Sequence, residues 1–200
     1  MSRLKILKYS FILLVLFGKN TFAQKSADKY TIYSMVIEQL PPMPPPSVEV
    51  VTNDSLLKRY IDSIGEKKVH IKVLEKTISP REFDFNDIHH RLAPEDSETY
   101  EKLAMKLNSS KSKKIEVARI SHEANVTIAE VSVPPKLEYD PLVTNWNVVF
   151  SDVILDKSRN VGILYTAQHL SELAGSYKIY LLKYNNHEWF IYKTIVLAIS

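Results

Sequence analysis

The sequence predicts a single α+β domain. Its mostly antiparallel sheet ends in a four-stranded C-terminal meander, and about three helices pack on that sheet. Three observations predict this. Trp146–Leu155, Val161–Leu170, Tyr177–Tyr184 and Glu188–Ile199 are rich in Val, Ile, Leu, Tyr, Trp and Phe, residues that suit a pleated, half-buried surface. Short polar or glycine-bearing breaks separate them: Asp156–Asn160, Ala174-Gly175-Ser176 and Asn185-Asn186. Short connections join only antiparallel neighbours, so the four strands form a meander. Elsewhere, apolar residues recur at helical spacing near 28–40, 55–64 and 94–108.

The chain begins with Arg3, Lys5 and Lys8, then an apolar run from Phe11 to Phe17, then Thr21-Phe22-Ala23. This is the three-part pattern of a secretory signal peptide over residues 1–23, with cleavage after Ala23. The apolar run falls short of the roughly 20 residues that a membrane span needs. The expected mature domain is 24–200, periplasmic or extracellular, with no membrane span after cleavage. The absence of cysteine excludes a disulfide framework and a lipid anchor on a cysteine.

Charge follows the leader. The full chain has 26 Lys+Arg and 23 Asp+Glu; residues 1–23 hold four of the basic residues and no acid, so the mature part carries 22 and 23, a net of −1. The basic balance belongs to the leader and gives no argument for a nucleic-acid partner.

In the mature chain, Asp28 is placed to cap a first helix whose Tyr30, Tyr33, Ile37 and Leu40 form one stripe. Such a stripe more often packs on a sheet than lines a ligand box. Residues 41–47 are a Pro-rich connector, since proline lacks the N–H a helix needs. Val48–Val51 reads as a strand. Asp54 or Ser55 would cap a second helix with Leu57, Tyr60, Ile61 and Ile64 on one face. Lys68–Lys76 alternates as a half-buried strand. Pro94 opens the third helix, with Glu95, Asp96 and Glu98 at its positive end and Tyr100, Leu103, Ala104 and Leu107 on its apolar face. Ile115–Ser121 and Val126–Val133 read as strands, and 134–145 as a connector into the meander.

Catalytic signatures are sparse. Ser176 lacks the following glycine of a nucleophile elbow. Four glycines leave no phosphate loop or dinucleotide fingerprint. Asp84, Asp87, His89 and His90 form the densest set of metal-ligand types. Only Asp87 and His90 are spaced for one helical face, and a solvated polar loop is the default reading of the set. Asn53, Asn108 and Asn125 head Asn-x-Ser/Thr triplets, a weak pattern. No cofactor is implied.

Both faces of the last two strands are apolar. Straight alternation puts Trp189, Ile191, Ile195, Leu197 and Ile199 on one side, with Phe190, Tyr192, Val196 and Ala198 on the other. Helices, loops or a partner must cover these faces, or the sheet must curl around its own core. Left exposed, Tyr180, Tyr184, Phe190 and Tyr192 would form an aromatic binding platform. Ile195–Ser200 is expected to be an internal tail.

Phe150-Ser151-Asp152-Val153, Gly162-Ile163-Leu164-Tyr165, Leu173-Ala174-Gly175-Ser176-Tyr177, Leu181-Leu182-Lys183-Tyr184-Asn185-Asn186-His187-Glu188-Trp189 and the final Ser200 resemble a family of small, exported, uncharacterised bacterial proteins. Its members end in a meander with a Trp hairpin and a terminal Ser. Tyr30–Ile37 looks like the family's first helix. Many members carry cysteines near the Gly-centred break, where this chain has none. The hairpin is also similar to the end of cone-shaped sheets of the nuclear-transport-factor-2-like class. The resemblance implies export and the meander, and transfers no functional residue. The functional expectation is a soluble, non-catalytic binding module for an unknown protein or envelope component. A cell-envelope hydrolase using Asp84, Asp87, His89 or His90 is the alternative, and a structural envelope protein the third.

Overall fold

A computed structural model describes residues 29–40, 51–64, 68–80, 88, 90–133, 143–171 and 174–199. The elements are α1 (29–38), α2 (Asp54–Ile64), β1 (Lys68–Leu74), α3 (Pro94–Asn108), a 3₁₀ turn (Val117–Arg119), β2 (Val126–Val131), β3 (Val143–Phe150), β4 (Ile154–Leu155), β5 (Val161–Ser171), β6 (Ala174–Asn185) and β7 (Glu188–Ile199). They form one seven-stranded sheet of order β2-β1-β3-β5-β6-β7, with β4 paired to β5. The meander is present: β3, β5, β6 and β7 are successive antiparallel neighbours. The other half is parallel, with β1 between β2 and β3 and parallel to both.

Both faces of the sheet carry a helix, which explains the two-sided apolar pattern. On one face α1 contributes Tyr30, Tyr33, Val36 and Ile37, packed with Val69, Ile71, Val73, Trp146, Val148, Phe150, Tyr180 and Leu182. Tyr33 lies on Phe150 with ring centroids 4.5 Å apart, and its hydroxyl donates to Ser151 O at 3.0 Å. The tyrosine stripe is therefore a packing face. On the other face α3 buries Tyr100, Leu103, Ala104 and Leu107 against Ile163, Tyr165, Ile179, Leu181 and Ile195. Tyr100 donates its hydroxyl to Leu182 O at 3.0 Å.

Several local expectations change. Trp146–Leu155 is two strands, because Ser151 breaks the run. Its backbone pairs with Ile78 and its hydroxyl donates to Asp152 O while accepting the Tyr165 N–H. Val143–Asn145 belong to β3, whereas 134–142 and the Pro-rich 41–47 lie outside the described residues. Ile115–Ser121 is no strand: a single bridge at Lys114 leads into the 3₁₀ turn. Val51 and Thr52 are helical, and Val48–Val50 lie outside the described residues. Asn53, rather than Asp54 or Ser55, caps α2, its Oδ1 accepting the N–H groups of Ser55 and Leu56. In α2 the predicted apolar face is only half-covered at Leu57 and Tyr60, and Ile61 is exposed.

Candidate functional site

β7 forms one rim of the sheet. Among the described residues its outer backbone edge pairs with nothing. Two bulges shape it. The pairing shifts between Leu181 and Leu182, so Tyr192 is unpaired, and again between Tyr177 and Lys178, so Leu197 is unpaired. An extra residue in one strand reverses the alternation beyond it. Trp189 and Ile191 therefore pack into the α1-side core, while Ile195 and Leu197 pack into the α3-side core. This corrects the straight alternation expected from the sequence.

The hairpin register parts the four aromatic residues of the predicted platform, since it sets Phe190 opposite Lys183 and Trp189 opposite Tyr184. Tyr180 is fully buried on the α1 side, where its oxygen accepts from Gln168 Nε2 at 2.9 Å. Gln168 in turn donates to Thr166 and accepts from Lys178. Burial raises the Tyr180 pKa above its ordinary value, and holds that of Lys178 below its own. Tyr184 is half-buried against Trp189, ring centroids 5.2 Å apart. Phe190 and Tyr192 remain exposed, at 42% and 39%, on the α3 side. The predicted surface is thus reduced to a pair.

Tyr192 is held in place. Lys183 Nζ sits 3.8 Å from its ring centroid and also bonds Asp96 of α3 at 2.9 Å. Tyr100 stacks on it, with centroids 6.5 Å apart and planes 8° from parallel. The hydrogen bond from Lys183 holds the Asp96 carboxyl below the usual range, against a smaller opposing effect of burial. The hydrogen bond and charge of Asp96 push the Tyr192 hydroxyl up. A cation over an aromatic face and a charge-assisted hydrogen bond fix the ring without covering it. Neither Lys183 nor Asp96 stands out in the sequence, because the pair is joined across a helix and a strand 87 positions apart. The one available signal was Asp96 at the positive end of α3.

The rim also exposes Val196 and Ile199 on its other side. β7 therefore presents a backbone edge unpaired among the described residues, aromatic side chains on one face and aliphatic ones on the other. Such an edge can accept a further strand. β2, at the opposite rim, is half as long, and its exposed Thr127, Ala129 and Glu130 are poorer partners for an apolar segment.

Asp84, Asp87 and His89 lie outside the described residues; His90 is exposed. Among the described residues no three His, Asp or Glu side chains converge as a metal site requires. A groove of about 460 Å³ runs beside α1, between Thr31, Met35 and Glu38 and the turn residues Arg119 and Ser121. Its floor is occupied by internal bonds. Ser34 donates to Tyr30 O and accepts from Ser121 N, and the Arg119 guanidinium lies 4.2 Å over the Tyr30 ring. No helix among the described residues is long and apolar enough to cross a membrane. No protein-family model, curated protein or solved structure matches the chain.

Proposed function

We propose that the protein is an exported, non-catalytic binding module that takes up an extended segment of an envelope or extracellular polypeptide as an added strand along β7. One observation carries this reading: a 12-residue rim strand whose outer edge is unpaired among the described residues, with Phe190, Tyr192, Val196 and Ile199 exposed. Main-chain hydrogen bonds would supply affinity, and alternate side chains on Phe190 and Tyr192 would supply selectivity. The Lys183–Asp96 clamp supports it, since a pre-fixed ring loses little freedom on binding. Export is supported by the leader, with Gln24 as the mature N-terminus; Edman sequencing of secreted protein that began elsewhere would argue against that cleavage.

Peptide display against the folded 24–200 domain tests the binding reading. The expected winners are extended peptides with alternating apolar residues that slow amide exchange along β7. They should lose about tenfold or more in affinity for Phe190→Lys/Val196→Lys, because lysine blunts an edge and is costly to bury. Failure to select peptides, protection of a different surface, or equal binding by the folded double variant would overturn it.

A further inference from the structure

Strand register builds a polar floor on the α3 side of the sheet, remote from β7. Lys72 of β1 stands between Ala129 of β2 and Asn147 of β3, and Asn147 stands opposite His169 of β5. Two positions along, His70 stands between Thr127 and Asn145. Adjacent strands lie about 4.8 Å apart, so Lys72, Asn147 and His169 form a contiguous row. On the opposite face the same strands bury Val69, Ile71, Val73, Trp146 and Val148. On β1 the polar residues His70 and Lys72 are confined to one face.

Internal bonding leaves this floor incomplete. Asn147 is only 6% exposed, yet its Oδ1 accepts no hydrogen bond. Buried acceptors are rarely left so, because the desolvated oxygen gains nothing in return for water. Lys72 makes no ion pair among the described residues, and neither row contains an acid. Tyr177 meets the His169 ring edge-on at 5.5 Å and stacks on Tyr165 at 6.5 Å, which gives the row an aromatic end. Burial holds the His169 pKa below its ordinary value. The neutral ring offers one donor and one acceptor, as each asparagine amide also does.

A matching ligand brings hydroxyls that both donate and accept, one negative charge for Lys72, and an apolar ring face for Tyr177. A phosphate monoester dianion has no donor for Asn147 Oδ1, and a neutral sugar leaves Lys72 unmatched. We infer that this floor is a second, separate site that binds an acidic sugar of the uronate type, its carboxylate on Lys72 and a hydroxyl donating to Asn147 Oδ1. It does not depend on strand addition at β7.

Calorimetric titration with galacturonate and glucuronate oligomers, each against its neutral hexose counterpart, tests the site. At least one uronate oligomer should bind, and its neutral counterpart about tenfold more weakly, the loss expected when a charge-assisted hydrogen bond is absent. Side-chain resonances of Asn145, Asn147 and His169 should shift. Lys72→Met should weaken binding about tenfold or more, Lys72→Arg should retain it, and Phe190→Lys should leave it unchanged. No uronate binding by the wild type, equal affinity for the neutral oligomer, shifts confined to another surface, or wild-type affinity in folded Lys72→Met would overturn the inference.

Discussion

His187 holds φ at 67° beside Asn186 at 50°, in the two-residue turn between β6 and β7. Two consecutive positive φ values define the hairpin turn whose twist suits antiparallel strands. Asn and His are the side-chain-bearing residues that tolerate this backbone best, yet the Cβ of each still crowds the following carbonyl, which glycine avoids. His187→Gly should therefore stabilise the fold by up to about 1 kcal/mol, read as a higher urea midpoint at unchanged slope. The sequence placed the turn one residue early, at Asn185-Asn186, because composition marks turn-formers but not the pair that closes the ladder, Asn185 with Glu188. Asp156 is a second residue with a local task. Its carboxylate accepts from the amides of Ser158, Asn160 and Val161 and from the Ser158 hydroxyl, ordering the loop before β5. Burial pushes its pKa up, but the bonds from Ser158, Val161 and Asn160 together outweigh burial and hold it below the usual value. The folded value lies below the unfolded one. Its contribution is therefore full above the unfolded value of about 3.9 and is lost as pH falls through the folded value. Asp156→Ala should flatten the acid limb of a stability profile measured by urea unfolding; a limb as steep as the wild type would show that other carboxylates set it.

At the scale of one element, β7 shows what strand composition can and cannot convey. Its existence and extent were legible, since Glu188–Ile199 is a dense run of β-formers. Its faces were not. A bulge has no residue signature here, and one unpaired Tyr192 sends Trp189 and Ile195 to opposite cores. The expected internal tail is accordingly a rim strand. Of its aliphatic residues Ile195 is buried at 1% exposure and Leu197 is half-buried, while Val196 and Ile199 are exposed. Deleting 195–199 should thus cost mainly what Ile195 contributes. Ile195→Ala should lower stability by about 2–5 kcal/mol, and Val196→Ala by no more than about 0.5 kcal/mol. Comparable losses at both positions would place the strand inside the fold after all. The predicted aromatic site failed on register instead: the turn sets Phe190 opposite Lys183, so Phe190 and Tyr192 face away from Tyr180 and Tyr184.

For the whole molecule, the α+β class and the meander were readable from periodicity. The parallel half was not. Parallel pairing joins β1 to strands far along the chain, and nothing in Lys68–Leu74 names its neighbours. The polar floor was hidden for the same reason: Lys72, Asn147 and His169 are unremarkable until register sets them side by side. Asp152 binds distant parts of the fold together. Its carboxylate meets Lys29 of α1 at 3.3 Å and Lys113 from the segment after α3, beside the Ser151 break. Burial, then Asp152 and Tyr30, push the Tyr33 hydroxyl well above the usual tyrosine range, so it stays a neutral donor to Ser151 O. Asp152→Ala should destabilise the domain by about 1–3 kcal/mol in thermal melts, chiefly through the sheltered Lys29. The Lys113 pair adds little, because that lysine is mostly in water. A melt at wild-type temperature would show that packing alone seats α1.

The position of β1 between β2 and β3 has a kinetic consequence. The hairpins β5–β6 and β6–β7 close over short loops and can form early, whereas β1 must wait for two partners at long sequence separation. A chain emerging N-terminus first displays Val69, Ile71 and Val73 before either neighbour exists. That bare strand is the stretch where a holding chaperone would shield the nascent protein, and where premature self-association would begin.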